Sequence, residues 1–240
     1  MFSVVANSER LARVVPLVVL LVAGWMLRPW ECHLGGAVSA REAAPGSMLA
    51  LLPDGWRSAA ANACWLRANL AWERRDPAAT RLLLELTVSA DARPLGFWLN
   101  GARMIAHDFP VWRERPDMPE AVRARIRREE AQRALSWLER ALAHHPAKAE
   151  IYVEMADLRL RVMNDPEGAA RLFHLAAEQP GAPWHAARIH AELLREMGRP
   201  AEALAWLRQV WPTLPAGDPA ARRDVVKQRI EELERASGSP

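Results

Sequence analysis

Small and large side chains recur along this chain with a period of about 34 residues, and this recurrence constrains the fold more than any other feature. In three stretches a small residue is followed by a large residue four positions later and by a small or medium-sized residue after three more. The stretches begin at Ala134, Ala169 and Ala203, in steps of 35 and 34 residues. Offsets of four and seven place the three side chains of each stretch on one face of a helix.

A fourth copy and a second series of helices extend the pattern. The copies are Ala134, Leu138, Ala141 with Pro146; Ala169, Phe173, Ala176; Ala203, Leu207, Val210 with Pro215; and, more weakly, Thr80, Leu84, Thr87. In the intervening helices, Ala68 and Ala102 are small residues 34 positions apart. The pattern predicts paired helices that each bury one face only, so that neighbouring pairs must stack to form a core.

This arrangement resembles the tetratricopeptide repeat (TPR) family, whose 34-residue unit is a helix–turn–helix. The stretch "GRPAEALAWLRQVWPTLP" (198–215) matches the family pattern best, with Gly198 in the turn and Pro215 near the end of the second helix. The resemblance covers roughly residues 58–235. It implies an all-α, right-handed helical solenoid of four units, at about 61–94, 95–146, 149–182 and 184–217, with a polar capping helix at 219–235.

The composition agrees with a helical chain and argues against nucleic-acid binding. Half of the residues are apolar, yet the chain has only one Tyr and four Phe, and a shortage of strand-forming side chains favours helices. The 32 basic and 29 acidic residues nearly balance, whereas a phosphate-binding surface carries a clustered basic excess. Two cysteines, Cys32 and Cys64, exclude a disulfide framework.

The second unit departs from the period. Ala102 and the equivalent small residue of the next unit, Ala156, are 54 positions apart, 20 more than one repeat. The excess falls at residues 107–130, where Pro110, Pro116 and Pro119 predict a structured loop before one lengthened helix at 121–143. Insertions in repeat arrays project from one face, so we expect this segment either to shield the groove or to supply a contact.

The only strongly apolar run is "LARVVPLVVLLVAGWMLRPW" (11–30). Its uncharged core between Arg13 and Arg28 has 14 residues, or about 21 Å as a helix, and fits a signal peptide as well as a short membrane span. The flanking arginines and the interfacial Trp25 and Trp30 favour an uncleaved signal anchor.

This interpretation divides the chain into five segments. We expect an N-terminal stub at 1–12, a transmembrane or signal-anchor helix at 13–30, a linker at 31–57, the repeat domain at 58–235 and a disordered tail at 236–240. The expected location is the inner (cell) membrane, crossed once by residues 13–30, with the repeat domain on the exported (periplasmic) side.

The TPR resemblance also implies where a partner binds, because the first helix of each unit lines the concave face in that family. The partner-binding residues that it implies are Asn62, Trp65, Asn69, Trp72, Leu99, Asn100, Arg103, Asp157 and Arg188. Asn69 and Asn100 are 31 positions apart, the offset of two asparagines that hold a peptide backbone in chaperone-tail-binding TPR domains.

The basic clamp of those domains has no counterpart here. Its positions correspond to Trp65, Glu150 and Glu154, so a C-terminal carboxylate is not the expected ligand. Tryptophans and asparagines suit an extended or helical apolar segment instead. The alternative for Trp65 and Trp72 is that they pack against the tether or the membrane-proximal segment.

The histidines do not form a recognisable catalytic or metal motif. His144 and His145 point about 100° apart on a helix and suit its polar C-terminal end. His185 and His190 are five positions apart, not the three or four of helical zinc ligands. We therefore predict no catalytic residue, metal, cofactor or small-molecule substrate. The alternative is a metal- or haem-handling protein or an enzyme, whose candidate ligands would be His107, His185, His190 and Cys32–His33.

The expected function is a membrane-tethered scaffold or assembly factor without catalysis. Its partner would be a protein or peptide that is itself membrane-bound or exported. Tethering suits this role, because confinement beside a membrane raises the effective concentration of the scaffold toward such a partner.

Overall fold

The computed structural model of the protein describes residues 54–237, and these residues are helical without any strand. The helices are α1 (Asp54–Glu73), α2 (Pro77–Ala90), α3 (Leu95–Arg103), a π-helical turn (Met104–Asp108), α4 (Phe109–Arg113), α5 (Glu120–His144), α6 (Ala149–Arg161), α7 (Pro166–Ala177), α8 (Trp184–Glu196), α9 (Pro200–Val210) and α10 (Arg223–Ser237), with short 3-10 turns at Trp211–Thr213 and Pro219–Ala221. The prediction of an all-α chain is confirmed for this range.

The predicted anchor at 13–30, most of the linker and the end of the tail lie outside the described residues. Between residues 54 and 237, no helix combines the length and the apolar character that a membrane crossing requires.

Short turns join the helices into hairpins, and the sequence encodes these turns locally. Between α1 and α2, Arg75 takes a left-handed conformation with φ of 56°. Asp76 then caps α2, because its Oδ1 accepts the backbone N–H groups of Ala78 and Ala79, and Pro77 fits the first helical position, where no N–H is needed. A turn of three residues leaves α1 and α2 antiparallel and in contact.

The positions of the repeat pattern lie in the core. Thr80, Leu84, Thr87, Ala134, Leu138, Ala141, Ala169, Phe173, Ala176, Ala203 and Leu207 are all buried, as are Ala68, Ala102, Ala156 and Ala191 of the first helices. Val210 is only half-buried. Small residues at these places let the paired helices approach closely, while Leu138, Phe173 and Leu207 fill the space between them.

Two tryptophans strengthen the contact within a helix pair in the same way. The Trp137 indole N–H, from α5, donates to the carbonyl of Trp98 on α3 at 2.8 Å. The Trp206 indole N–H, from α9, donates to the carbonyl of Ala187 on α8 at 2.9 Å. Each tryptophan immediately precedes the large residue of its copy, so the repeat pattern fixes both the apolar contact and its hydrogen bond.

A buried ion cluster holds the irregular second unit in place. Glu130 of α5 is only 1% exposed, and its carboxylate accepts from Arg81 of α2 at 2.9 Å and from Arg113 of α4 at 2.6 Å. Arg133, one turn further along α5, is a third partner. Because a buried carboxylate needs such partners, Glu130 fixes the position of α4 against α2 and α5.

The C-terminal part consists of the more regular pairs α6–α7 and α8–α9, followed by α10. Gly198, with φ of +77°, forms the turn between α8 and α9, a conformation that side chains other than glycine rarely adopt. Helix α10 packs against α9 through the buried Val226 and Leu233. Its outer face is charged, as the sequence indicated for a capping helix.

The insertion differs in one respect from the sequence expectation. Residues 120–144 form the single long helix α5, but Pro110 does not lie in a loop. It occupies the first turn of α4, so the non-helical segment is confined to residues 114–119. Helical backbone therefore continues from Leu95 to Arg113 through a π-helical turn.

Candidate partner-binding cleft

One face of α1 supplies an aromatic and amide wall. Trp65, Asn69 and Trp72 follow each other at offsets of four and three residues, so they project from the same side of the helix. The Trp65 ring lies against Phe97, with 5.2 Å between ring centroids. The Asn69 amide donates to the Trp65 carbonyl at 2.8 Å, which leaves the Asn69 side-chain oxygen without a partner among residues 54–237.

The opposite wall comes from α3 and the π-helical turn. It consists of Asn100, Arg103, Met104 and Asp108. The wide turn has a local cause: Pro110 has no N–H, and its ring would meet the carbonyl of residue 106 in a regular α-helix. The Phe109 N–H reaches back to the Met104 carbonyl instead. Widening by one residue rotates Asp108 relative to a regular helix, and such π-turns are common at functional sites.

The two walls enclose a cleft of about 350 Å³, lined by Trp65, Asn69, Trp72, Asn100, Arg103, Met104 and Asp108. The Trp72 indole N–H donates to Oδ2 of Asp108 at 2.7 Å and so joins the walls across 36 residues of sequence. Asn100 is exposed, and its amide makes no hydrogen bond within the described part of the chain. The cleft therefore offers aromatic surface together with unused amide groups and a fixed carboxylate.

Arg103 extends the cleft toward the third helix pair. Its guanidinium donates two hydrogen bonds, at 2.8 and 3.1 Å, to Oε2 of Glu154 on α6. Hydrogen bonding to Glu154 raises the pKa of Arg103 above its usual value, and the charge of Asp157 adds to this. The pair neutralises Arg103 and ties α3 to α6.

The structure brings five of the nine predicted partner-binding residues to this cleft and leaves four elsewhere. Asn62 is exposed on α1 outside the lining, and Leu99 packs against the core. Asp157 pairs with Arg161 on its own helix at 3.1 Å. Arg188 lies on α8, where burial lowers its pKa and the nearby Arg222 lowers it further.

Two lining residues, Met104 and Asp108, were missed by the sequence analysis. That analysis treated the first helix of the second unit as a regular α-helix, in which Asp108 would point elsewhere. The available signal was Pro110 inside a stretch of otherwise helical sequence.

A larger cavity of about 560 Å³ lies where α2 and α5 end, and its charged groups serve the fold. Asp91 accepts from the Ser58 hydroxyl at 2.7 Å and from Arg93 Nε at 2.8 Å. Hydrogen bonds from Arg93 hold the pKa of Asp91 well below its usual range. Arg140 forms two hydrogen bonds with Glu85. Because these groups satisfy each other, we assign the cavity to the packing of the first two units.

The histidines that raised the metal alternative occupy separate environments. His144 ends α5 and stacks on Trp98 with 5.6 Å between centroids, and His145 Nε2 lies 3.1 Å from the Ala92 carbonyl. His107 and His185 are exposed, whereas His190 is buried. Within residues 54–237, no three His, Cys, Asp or Glu side chains are grouped to hold a metal ion. Cys32–His33 lies outside the described residues.

No known protein-family model matches this chain, and no curated protein matches it. The resemblance drawn from the repeat pattern therefore remains a proposal.

Proposed function

We propose that residues 58–235 form a TPR-like, right-handed helical solenoid that captures a segment of a partner protein in the cleft between α1 and α3. The burial of the pattern residues in four successive helix pairs supports the TPR-like architecture. The observation that carries the binding role is the convergence of Trp65, Asn69, Trp72, Asn100 and Arg103 on one cleft. These residues were selected by their position in the repeat, without knowledge of any cavity.

The chemistry of the cleft suits recognition of a peptide segment. Side-chain amides with unused donors and acceptors can pair with a peptide backbone, and indole rings provide apolar contact area with little conformational freedom to lose. Nothing in the cleft requires chemical change of the partner, so the proposed role is that of a scaffold or assembly factor without catalysis.

We further propose that residues 13–30 tether this domain to the inner membrane, with the repeats on the periplasmic side. This part of the proposal rests on the apolar run and its flanking arginines and tryptophans. The partner would then be another membrane-bound or exported protein, for which tethering raises the effective concentration.

A photo-crosslinking experiment on the full chain in its native membranes tests the capture of a partner. A benzoylphenylalanine residue is placed at Asn100 in the cleft or, as the control, at Gln132, which is exposed on α5. We expect a discrete crosslinked product with Asn100 only, and its loss when Trp65→Ala is added without a change in melting temperature. Equal products from both positions, or retention of the product in the Trp65→Ala protein, would contradict the proposal.

A further inference from the structure

The carboxylate of Asp108 is the one ionised lining group of the cleft that lacks a charged partner within residues 54–237. Its Oδ2 accepts the neutral indole N–H of Trp72 at 2.7 Å. Its Oδ1 has no partner in the same range. The hydrogen bond from Trp72 fixes the direction of the carboxylate without neutralising its charge. Asp108 is half-buried, so this charge is less well solvated than that of a surface aspartate.

The other charged group of the cleft does not cancel this negative charge. Arg103 is held in two hydrogen bonds by Glu154, whose side chain is only 14% exposed. An arginine paired in this way is neutralised locally. Asp157 lies close enough to Arg103 to raise its pKa further. The cleft and its immediate surroundings therefore carry an excess of negative charge.

The aromatic rings of the cleft have faces available for a cation. Elsewhere in the described chain, arginines already lie over aromatic rings: Arg223 is 4.3 Å from the Trp211 centroid, and Arg140 is 5.4 Å from that of Trp137. Neither Trp65 nor Trp72 has such a cation among the described residues. A cation placed beside an indole ring and a carboxylate gains from both at once.

We propose that the cleft receives a lysine or arginine side chain of the bound segment, with Asp108 as the counter-ion and the indole rings of Trp65 and Trp72 as its walls. This inference rests on the proposed function and specifies the partner chemistry. It also changes the expectation from an apolar segment to an apolar segment that carries a basic residue. Asn69 and Asn100 lie beside this position, where their amides reach the backbone on either side of it.

A matched pair of peptides tests the proposal on the full-length protein. The probes are fluorescein-labelled Gly-Ala-Leu-Xaa-Leu-Ala amides in which Xaa is lysine or norleucine, its uncharged analogue of similar length. Fluorescence polarisation measures the Kd of each. We expect the lysine peptide to bind about tenfold more tightly, the scale of a partly desolvated cation–π contact with an adjacent carboxylate.

Two variants assign the preference to Asp108. Asp108→Asn keeps an oxygen that accepts the Trp72 N–H but removes the charge, so we expect the lysine-to-norleucine ratio to fall below about threefold. Asp117→Asn removes a carboxylate from the exposed loop before α5, where it pairs with Arg115, and should leave the ratio unchanged. In the unmodified protein, raising KCl from about 50 to about 500 mM should reduce the ratio by screening.

The outcomes separate this inference from the proposed function. If both peptides bind equally, or if Asp108→Asn retains the full preference, the cation site is wrong while the cleft remains a binding site. If neither peptide binds but crosslinking at Asn100 still captures a partner, the cation site is again wrong. If crosslinking also fails, the proposed function falls with it.

Discussion

The first two helix pairs and the last two are built on the same repeat but use it differently. In α6–α9 the pattern runs at 34 residues, and the core between the pairs is composed mainly of alanine, leucine and Phe173. In α1–α5 the same positions are buried, but 20 extra residues add a π-helical turn, a short helix and the buried Glu130 cluster. The cleft lies in this irregular part. The comparison indicates that regular repeats supply stacking, while the departure from the repeat supplies chemically distinct groups.

The largest expected effect comes from removing the central aromatic side chain of each part. Trp98 is 1% exposed, and its indole N–H donates to the Ala92 carbonyl at 2.8 Å. Trp98→Ala should lower the free energy of unfolding by about 5 kcal/mol, and Phe173→Ala, which breaks no hydrogen bond, by about 4 kcal/mol. Urea unfolding measures both values.

Hydrogen exchange on the same two variants tests whether the parts are independent. Units in a repeat array contact only their neighbours, so Phe173→Ala should accelerate exchange mainly in α6–α9 and Trp98→Ala mainly in α1–α5. Uniform acceleration along the whole chain in both variants would show that the division between the two parts has no energetic meaning.

The ion pairs give the second largest difference between the parts. Glu130→Gln leaves Arg81, Arg113 and Arg133 around a neutral buried group and should destabilise the protein by about 2–3 kcal/mol. The matched change in the C-terminal part is Glu234→Gln, since Glu234 pairs with Arg208 at 2.6 Å on the surface, with both side chains around half exposed. It should cost about 0–1 kcal/mol. Equal losses of urea midpoint would refute the structural role assigned to Glu130.

The response to acid should also distinguish the two parts. Burial lowers the pKa of His190 below its ordinary value of 6.5, although the Ala170 carbonyl opposes this by accepting its Nδ1–H. The unfolded chain then binds this proton more readily than the folded chain, so stability falls as the pH drops below 6.5. For Asp91 the lowered pKa means that stability is lost only as the pH falls below its ordinary value of 3.8.

Melting curves between pH 7 and pH 3 check this order. His190→Asn retains a donor for the Ala170 carbonyl but cannot titrate, so it should flatten the decline between pH 6.5 and pH 5. The decline below pH 4 should persist in that variant and diminish in Asp91→Asn. A His190→Asn protein that loses stability as steeply as the parent near pH 6 would contradict the assignment to His190.

The smallest effect on stability is expected in the cleft itself. Asn100 is exposed and makes no hydrogen bond within the described residues, so Asn100→Ala should change the free energy of unfolding by no more than about 0.5 kcal/mol. The same change should weaken capture of a partner segment measurably. A large loss of stability would instead indicate that the cleft residues serve packing.

Much of the helical core could be predicted because its signal is local. A helix repeats its faces every 3.6 residues, so the offsets between Ala169, Phe173 and Ala176 already place them together. Five cleft residues were found by the same logic, since they occupy one face of α1 or α3. The four predicted residues outside the cleft show its limit: the offset within a unit does not tell how far the next unit extends the surface.

The sequence by itself determined the helical character, the pairing of helices and the small residues at their crossings, because periodicity and side-chain size are properties of neighbouring residues. Only the tertiary structure decided that Asp108 meets Trp72 and that Glu130 gathers three arginines. Those contacts join residues 36 and 49 positions apart, and they depend on how the chain widens before Pro110 and folds back through α4. No local pattern encodes such distances, because they result from packing the irregular segment against a core that is already formed.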